Sequence, residues 1–217
     1  MASSVTFDFA GPVGRLEAIL MQPEGPPVAA AVACHAHPLH GGMMHFKVVF
    51  RAAKALQAAG LAVLRFNFRG VGRSEGVHDH GFGEQEDARA ALLEMQARFP
   101  GLPLVLGGFS FGSTMALRLA AREELVRAVF ALGYPLARPT DTAPLEAVRR
   151  PRLFVQGEND AFGSGEALRA LVEPLPPPRE IVVIPGADHF FDGQLDALQA
   201  AISHWAERRP WDVAVLP

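Results

Sequence analysis

From residue 28 onward, short runs that are apolar throughout alternate with longer stretches of helical periodicity, and this alternation leaves few folds open to the chain. The apolar runs predict strands at 28–34, 61–66, 103–108, 126–132, 152–156 and 180–184. The periodic stretches predict helices at about 43–59, 84–98, 111–123, 164–173 and 191–208. A strand that is apolar on both sides of its pleat has no face to give to water, so it belongs in a sheet covered on both sides. Helical crossovers between such strands make neighbours parallel. Ahead of this region, strand-like runs at 5–9 and 15–21 flank the turn sequence Gly11-Pro12-Val13-Gly14, which predicts an antiparallel start. The expected class is therefore α/β, with helices on both faces of a mostly parallel central sheet.

At 217 residues with no linker, the chain is expected to form one domain over 1–217. A hydrophobic content of 49% with 20% charged residues excludes a disordered chain, and a net charge of -3 gives no general attraction to nucleic acid or anionic membranes. The longest stretch without Asp, Glu, Lys or Arg, 25–46, holds four His and three Pro and does not suit a membrane span. The start, Met-Ala-Ser-Ser-Val-Thr-Phe-Asp, has neither a basic nor an apolar segment of the kind that directs secretion, and Cys34 is the sole cysteine. A cytoplasmic protein without an internal disulfide is expected. Nothing in the sequence specifies an oligomeric state.

Within this frame, Gly108-Phe109-Ser110-Phe111-Gly112 lies between the apolar run 102–107 and the helix-like stretch 113–122. A sharp strand-to-helix turn pushes a serine hydroxyl off the sheet beside the N–H groups of a helix N-terminus, which is the arrangement of a nucleophile elbow. Gly108 and Gly112 fit where a Cβ would clash. A phosphate-binding P-loop is excluded, since no Lys follows the last Gly and the only lysines are Lys47 and Lys54.

A serine needs an oriented base. His189, in Gly186-Ala187-Asp188-His189 just past the last predicted strand, is the leading candidate, because loops at the carboxyl edge of a parallel sheet share one crevice. The carboxylate that orients it is expected to be Asp160, which follows strand 152–156 in Gly157-Glu158-Asn159-Asp160. Glu158 and Asp188 are rivals, the first readable as a solvated charge and the second as a loop cap. Two N–H donors are expected at the developing oxyanion: the Phe111 amide, and from the loop after strand 28–34 the His37 amide, with Leu39 as the alternative.

The histidines His35, His37, His40, His45, His78 and His80, with Asp79, raise the idea of zinc. No His-Glu-x-x-His pattern supports it, so no metal is expected and His35 is read as packing and hydrogen-bonding beneath the oxyanion loop. Gly70-Val71-Gly72 has its third glycine too late, at Gly76, for a dinucleotide turn. It reads as a structural turn that Arg69 or Arg73 ties to carboxylates. Phe109, Phe111, Tyr134, Phe162, Phe190 and Phe191 fall in or beside these loops. Phe109, Tyr134, Phe162 and Phe190 are the expected substrate-binding set, each readable also as ordinary core.

Taken together, His35 to Gly42, Asn67 to Ser74, Gly108 to Gly112, Gly157 to Asp160 and Gly186 to His189, in the order Ser, Asp, His, resemble the α/β-hydrolase superfamily. The similarity is to its small lidless bacterial members, related to dienelactone hydrolases and carboxylesterases. The resemblance implies a sheet of about eight strands, no separate cap domain and no cofactor, with Ser110, Asp160 and His189 as nucleophile, acid and base. Ser stands here where dienelactone hydrolases carry Cys. The expected activity is hydrolysis of a small-molecule carboxylic ester with a small or short acyl group. A thioesterase is the near alternative, and a non-catalytic binding protein on the same fold is the distant one.

Overall fold

The computed structural model describes residues 1–136 and 142–212. The chain begins with the expected antiparallel hairpin, β1 (Ser3–Gly11) and β2 (Gly14–Gln22), paired from Ser3 with Gln22 to Gly11 with Gly14. The apolar runs follow as β3 (Ala29–Cys34), β4 (Leu61–Phe66), β5 (Leu104–Phe109), β6 (Val126–Leu132), β7 (Arg152–Gly157) and β8 (Arg179–Ile184). They pair in the order β1-β2-β4-β3-β5-β6-β7-β8, antiparallel through β2 and β4 and parallel from there to β8. Every residue of β3, β4, β5 and β7 is buried, as the lack of alternation required. The edge strand β8 is half-buried instead.

Two apolar layers hold this sheet. On one face α1 (Lys47–Ala58) and α6 (Leu195–Glu207) press Val48, Leu56, Leu198, Ile202 and Trp205 against the odd residues of β3. On the other, α2 (Phe82–Arg98) and α3 (Phe111–Ala120) pack with Ala88, Ala91, Leu92, Met95 and Met115 against the even ones. Alternate residues of one strand thus feed both cores. α4 (Ala143–Ala147) and α5 (Gly165–Val172) complete the second layer through Leu145 and Leu168.

Two helices start later than their periodicity predicts. Residues 43–46 are apolar enough to continue α1, but the Met44 N–H donates to Asn67 Oδ1 at 2.8 Å and its carbonyl accepts from Arg65, which draws the segment onto the end of β4. Before α6, Phe191 (φ 54°) and Gly193 (φ 72°) adopt left-handed backbone, so winding begins at Leu195 rather than 191.

Between β6 and β7 the described residues hold only the five-residue α4. The short lid expected in this interval also covers 137–141, which lie outside the described residues. No helix among the described residues is long and apolar enough to cross a membrane. The order of strands reverses direction at β3, because β4 lies on one side of it and β5 on the other. The crevice outside the carboxyl ends of β3 and β5 is where an open α/β sheet leaves room for a ligand.

Candidate active site

Ser110 is the first residue after β5 and caps α3, with φ 53° and ψ -119°. That region is costly for a residue with a Cβ, about 1–3 kcal/mol, and persists only where the surroundings impose it. They do so here by close approach. A Cβ on Gly108 would sit 2.6 Å from the Cys34 carbonyl oxygen, and one on Gly112 would sit 2.5 Å from that of His35. The turn can therefore press against the end of β3 only with glycine at both places. The Ser110 N–H continues the sheet ladder to the Leu132 carbonyl at 2.9 Å, and Ser113 Oγ donates to the Ser110 carbonyl at 2.6 Å, which pins the first helical turn.

The side chain that results from this strain meets the other two predicted groups. Ser110 Oγ lies 3.0 Å from His189 Nε2, and His189 Nδ1 lies 2.8 Å from Asp160 Oδ2. The carboxylate partner fixes the tautomer: Nδ1–H donates to Asp160, which leaves the Nε2 lone pair facing the serine hydroxyl. His189 and Asp160 are buried, and the imidazole is flanked by Phe109 at 4.9 Å, Phe162 at 4.5 Å and Phe190 at 5.3 Å.

Each loop is fixed by its own polar bonds. Asp160 Oδ1 accepts the Phe162 N–H at 2.8 Å, and Oδ2 accepts from Gln156 Nε2 at 3.0 Å. Gln156 is fully buried. Its amide also donates to the Gly163 carbonyl at 2.7 Å and accepts the Tyr134 N–H at 2.9 Å, so it joins the loops after β6 and β7. The rivals of Asp160 have other duties. Asp188 Oδ1 accepts the N–H groups of Phe190 and Asp192, both at 3.0 Å, as a loop cap, and Glu158 accepts the Gly186 N–H at 2.7 Å.

The loop after β3 rests on His35. This buried imidazole donates from Nδ1 to the Ala36 carbonyl at 2.6 Å and accepts the Phe68 N–H on Nε2 at 3.0 Å, so it binds the loop to the end of β4. Burial pushes its pKa down to about 4, because a charged ring there would lose its hydration, which the Ala36 carbonyl and the more distant Glu84 offset only in part. Pro38–His40 then forms one 3-10 turn, and the Leu39 N–H donates to His37 Nδ1 at 3.2 Å, which occupies the alternative oxyanion donor. The Phe111 N–H stands at the first position of α3, where the helix itself supplies no acceptor.

A cavity of about 550 Å³ opens over Ser110 and takes in Ala36, His37, Phe109, Phe111, Tyr134, Phe162, His189 and Phe190. The four expected substrate-binding aromatics divide in two. Phe162 and Phe190 are 47% and 42% exposed, whereas Phe109 is fully buried and stacks on Phe46 at 5.5 Å, and Tyr134 is nearly buried. Phe191 belongs to the core under α6. His78 and His80 also line the cavity, as do Phe46, Met115 and Arg118, which no local motif in the sequence singles out. His37 and His40 stack at 4.5 Å and His78 lies 4.9 Å from His37, but among the described residues no three His, Cys, Asp or Glu are placed to hold a metal ion.

The turn at 67–76 supports this loop from behind. Arg69 pairs in two-point fashion with Asp87 at 3.0 and 2.7 Å, and Arg73 reaches Glu17 at 3.2 Å, so both predicted ties form.

Residues 29–207 match the family model described as an alpha/beta hydrolase domain. The structure of an α/β serine hydrolase homologue from Coxiella burnetii is 37% identical, with a TM-score of 0.85 over 92% of this chain and 96% of that one. An α/β serine hydrolase without a lid from Xanthomonas campestris is 36% identical, with a TM-score of 0.87 over 98% of this chain and 97% of that one. The Rickettsia prowazekii protein RP471, named as uncharacterized, is 36% identical over 206 residues, which span 91% of this chain and 86% of the relative. With the family model covering most of its length and the sheet order, elbow and crevice in place, the chain belongs to the α/β-hydrolase family.

Proposed function

We propose that the chain is a serine-dependent carboxylic ester hydrolase working through an acyl-enzyme. One observation carries the reading: the unbroken hydrogen-bonded chain from Ser110 Oγ through His189 to Asp160, at 3.0 and 2.8 Å. In the first half-reaction His189 Nε2 takes the hydroxyl proton as Oγ attacks the ester carbonyl. The proton then passes to the departing alcohol as the carbon–oxygen bond breaks. In the second, water gives its proton to the same nitrogen and releases the acid, restoring the serine. Asp160 orients the imidazole and stabilises the imidazolium in both halves.

The oxyanion is assigned to the Phe111 and His37 amides. The start of α3 supports the first, and the engagement of the Leu39 amide with His37 Nδ1 supports His37 over Leu39. A cavity of about 550 Å³, with only α4 among the described residues between β6 and β7, favours small or short-chain acyl groups, with Phe162 and Phe190 as its exposed aromatic walls. Thioesters would use the same groups. Operation in the cytoplasm, which the lone buried Cys34 supports, is part of the same reading, as are a single domain and the lack of a cofactor.

A fluorophosphonate probe tests the reading. It is expected to label the wild type, to fail on Ser110→Ala and to label His189→Ala far more slowly. A panel of p-nitrophenyl esters of graded length, run with a thioester and an amide, is expected to peak at short acyl groups. Absence of both labelling and turnover in folded wild type would leave the non-catalytic binding protein as the better account.

A further inference from the structure

The lining of the cavity over Ser110 is unevenly charged. Among the described residues it contains no aspartate or glutamate, yet it holds Arg118 together with the imidazoles of His37, His40, His78 and His80, in a chain whose net charge is -3. The imidazoles carry charge only when protonated, so among the described lining residues Arg118 is the fixed cation.

Arg118 is half-buried, and among the described residues its guanidinium takes part in no ion pair or hydrogen bond. Its neighbours in the same helical layer are already engaged: Arg122 with Glu86 and Arg89 with Glu123, both at 2.6 Å. A guanidinium drawn partly out of water without a carboxylate is left ready for an anion that arrives with the ligand.

Helical geometry sets where that anion would sit. Phe111, Thr114 and Arg118 recur along one face of α3, and all three line the cavity. Arg118 follows Ser110 by eight positions, about 12 Å along the axis at 1.5 Å per residue. Helical side chains lean toward the N-terminus, which inclines an arginine at this position toward the turn of Thr114 and so toward the serine end of the cavity. The loop carrying His78 and His80 closes the same wall, since a Cβ on Gly81 would stand 3.1 Å from Met115 Cε.

We propose that the cavity takes an ester that also bears a free carboxylate, bound by Arg118 while the scissile carbonyl lies at Ser110. Among the described lining residues one fixed cation stands against one negative charge, which favours a carboxylate over a phosphate dianion, and the planar fork of arginine matches it in two-point fashion. The proposal rests on the acyl-transfer reading above for the position of the scissile bond.

Two ester pairs test it, one for each side of that bond. Mono-p-nitrophenyl adipate is compared with p-nitrophenyl hexanoate, and 4-acetoxybenzoate with 4-tolyl acetate, in wild type, Arg118→Lys and Arg118→Ala. In at least one pair the carboxylate ester is expected to be preferred in kcat/KM. That preference is expected to fall about tenfold in Arg118→Ala and less in Arg118→Lys. Comparing variants cancels the intrinsic reactivity of each ester, and circular dichroism checks that the variants are folded. A preference ratio that Arg118→Ala leaves unchanged in both pairs overturns the proposal.

Calorimetric titration of Ser110→Ala with adipate separates this idea from the hydrolase reading. Binding that disappears when Arg118→Ala is added supports the subsite even if no ester turns over, in which case only the acyl-transfer reading fails. With no turnover, adipate binding that is absent, or indifferent to Arg118, overturns the subsite as well.

Discussion

Gln156 Nε2 donates to Asp160 Oδ2 at 3.0 Å, the same carboxylate oxygen that His189 Nδ1 approaches at 2.8 Å. The glutamine is fully buried, so its amide has no water to fall back on and holds the carboxylate at one orientation. Gln156→Leu removes this donor while keeping most of the volume. It also leaves the Tyr134 N–H without the acceptor that Gln156 supplies. A stability loss of about 1–3 kcal/mol is expected from the unsatisfied groups. A fall in kcat beyond that due to unfolded protein is also expected, with the acid limb of the pH–rate profile displaced. A variant with reduced stability and an unmoved pH profile would make Gln156 a structural residue only.

The glycine at 112 is demanded by contact rather than by backbone angle. Gly112→Ala places a methyl group against the carbonyl oxygens of Cys34 and His35, so either β3 or the elbow must retreat. Overpacking of this kind costs about 1–3 kcal/mol. Because the retreat moves Ser110 away from His189, kcat/KM is expected to fall by about 100-fold or more, a larger effect than the stability loss would give. Urea midpoints and ester kinetics on the same preparation separate the two. A variant with near-normal kinetics would contradict the tight seating of the elbow.

The strands were legible because burial on both faces leaves an unmistakable run of apolar residues, as in Ala29–Cys34 and Leu61–Phe66. The elbow was legible because its chemistry is local, compressed into five residues. Helix starts were not, because they depend on distant partners: Met44 is drawn away from α1 by Asn67, twenty-three positions along the chain. Gln156 and Arg118 escaped for the same reason. In sequence each is an ordinary polar residue in a strand or helix, and only the pairing of β6 with β7, or the face of α3 over the crevice, gives it neighbours that matter.

The four expected pocket aromatics separate by burial into two kinds of behaviour. Phe109 is fully exclusive of solvent and stacked on Phe46, so Phe109→Ala is expected to cost about 3–5 kcal/mol of stability, and its activity loss follows from that. Phe162 and Phe190 are 47% and 42% exposed. Phe162→Ala and Phe190→Ala are expected to unfold within about 1 kcal/mol of wild type while raising KM for aromatic esters. Thermal melts beside Michaelis–Menten curves decide between these roles. Equal destabilisation by all three substitutions would mean that the exposed pair also belongs to the core.

His35 makes stability depend on acid. Its pKa is ordinarily 6.5 and falls to about 4 in the folded chain, chiefly through burial. Between these values the unfolded chain binds a proton that the folded chain refuses, so stability declines as pH drops from 6.5 to 4 and this contribution is constant outside that window. The full loss attached to His35 is about 3 kcal/mol. In His35→Gln, whose amide can still accept the Phe68 N–H, the decline between pH 7 and pH 4.5 is expected to be shallower than in wild type by about 2–3 kcal/mol. Urea unfolding at both pH values, on both proteins, gives the comparison directly. Carboxylates that titrate in the same range act in both proteins and cancel from the difference. Parallel pH dependences would show that the ring takes up its proton in the folded state as easily as in water, and that the loop after β3 is not held by a neutral imidazole.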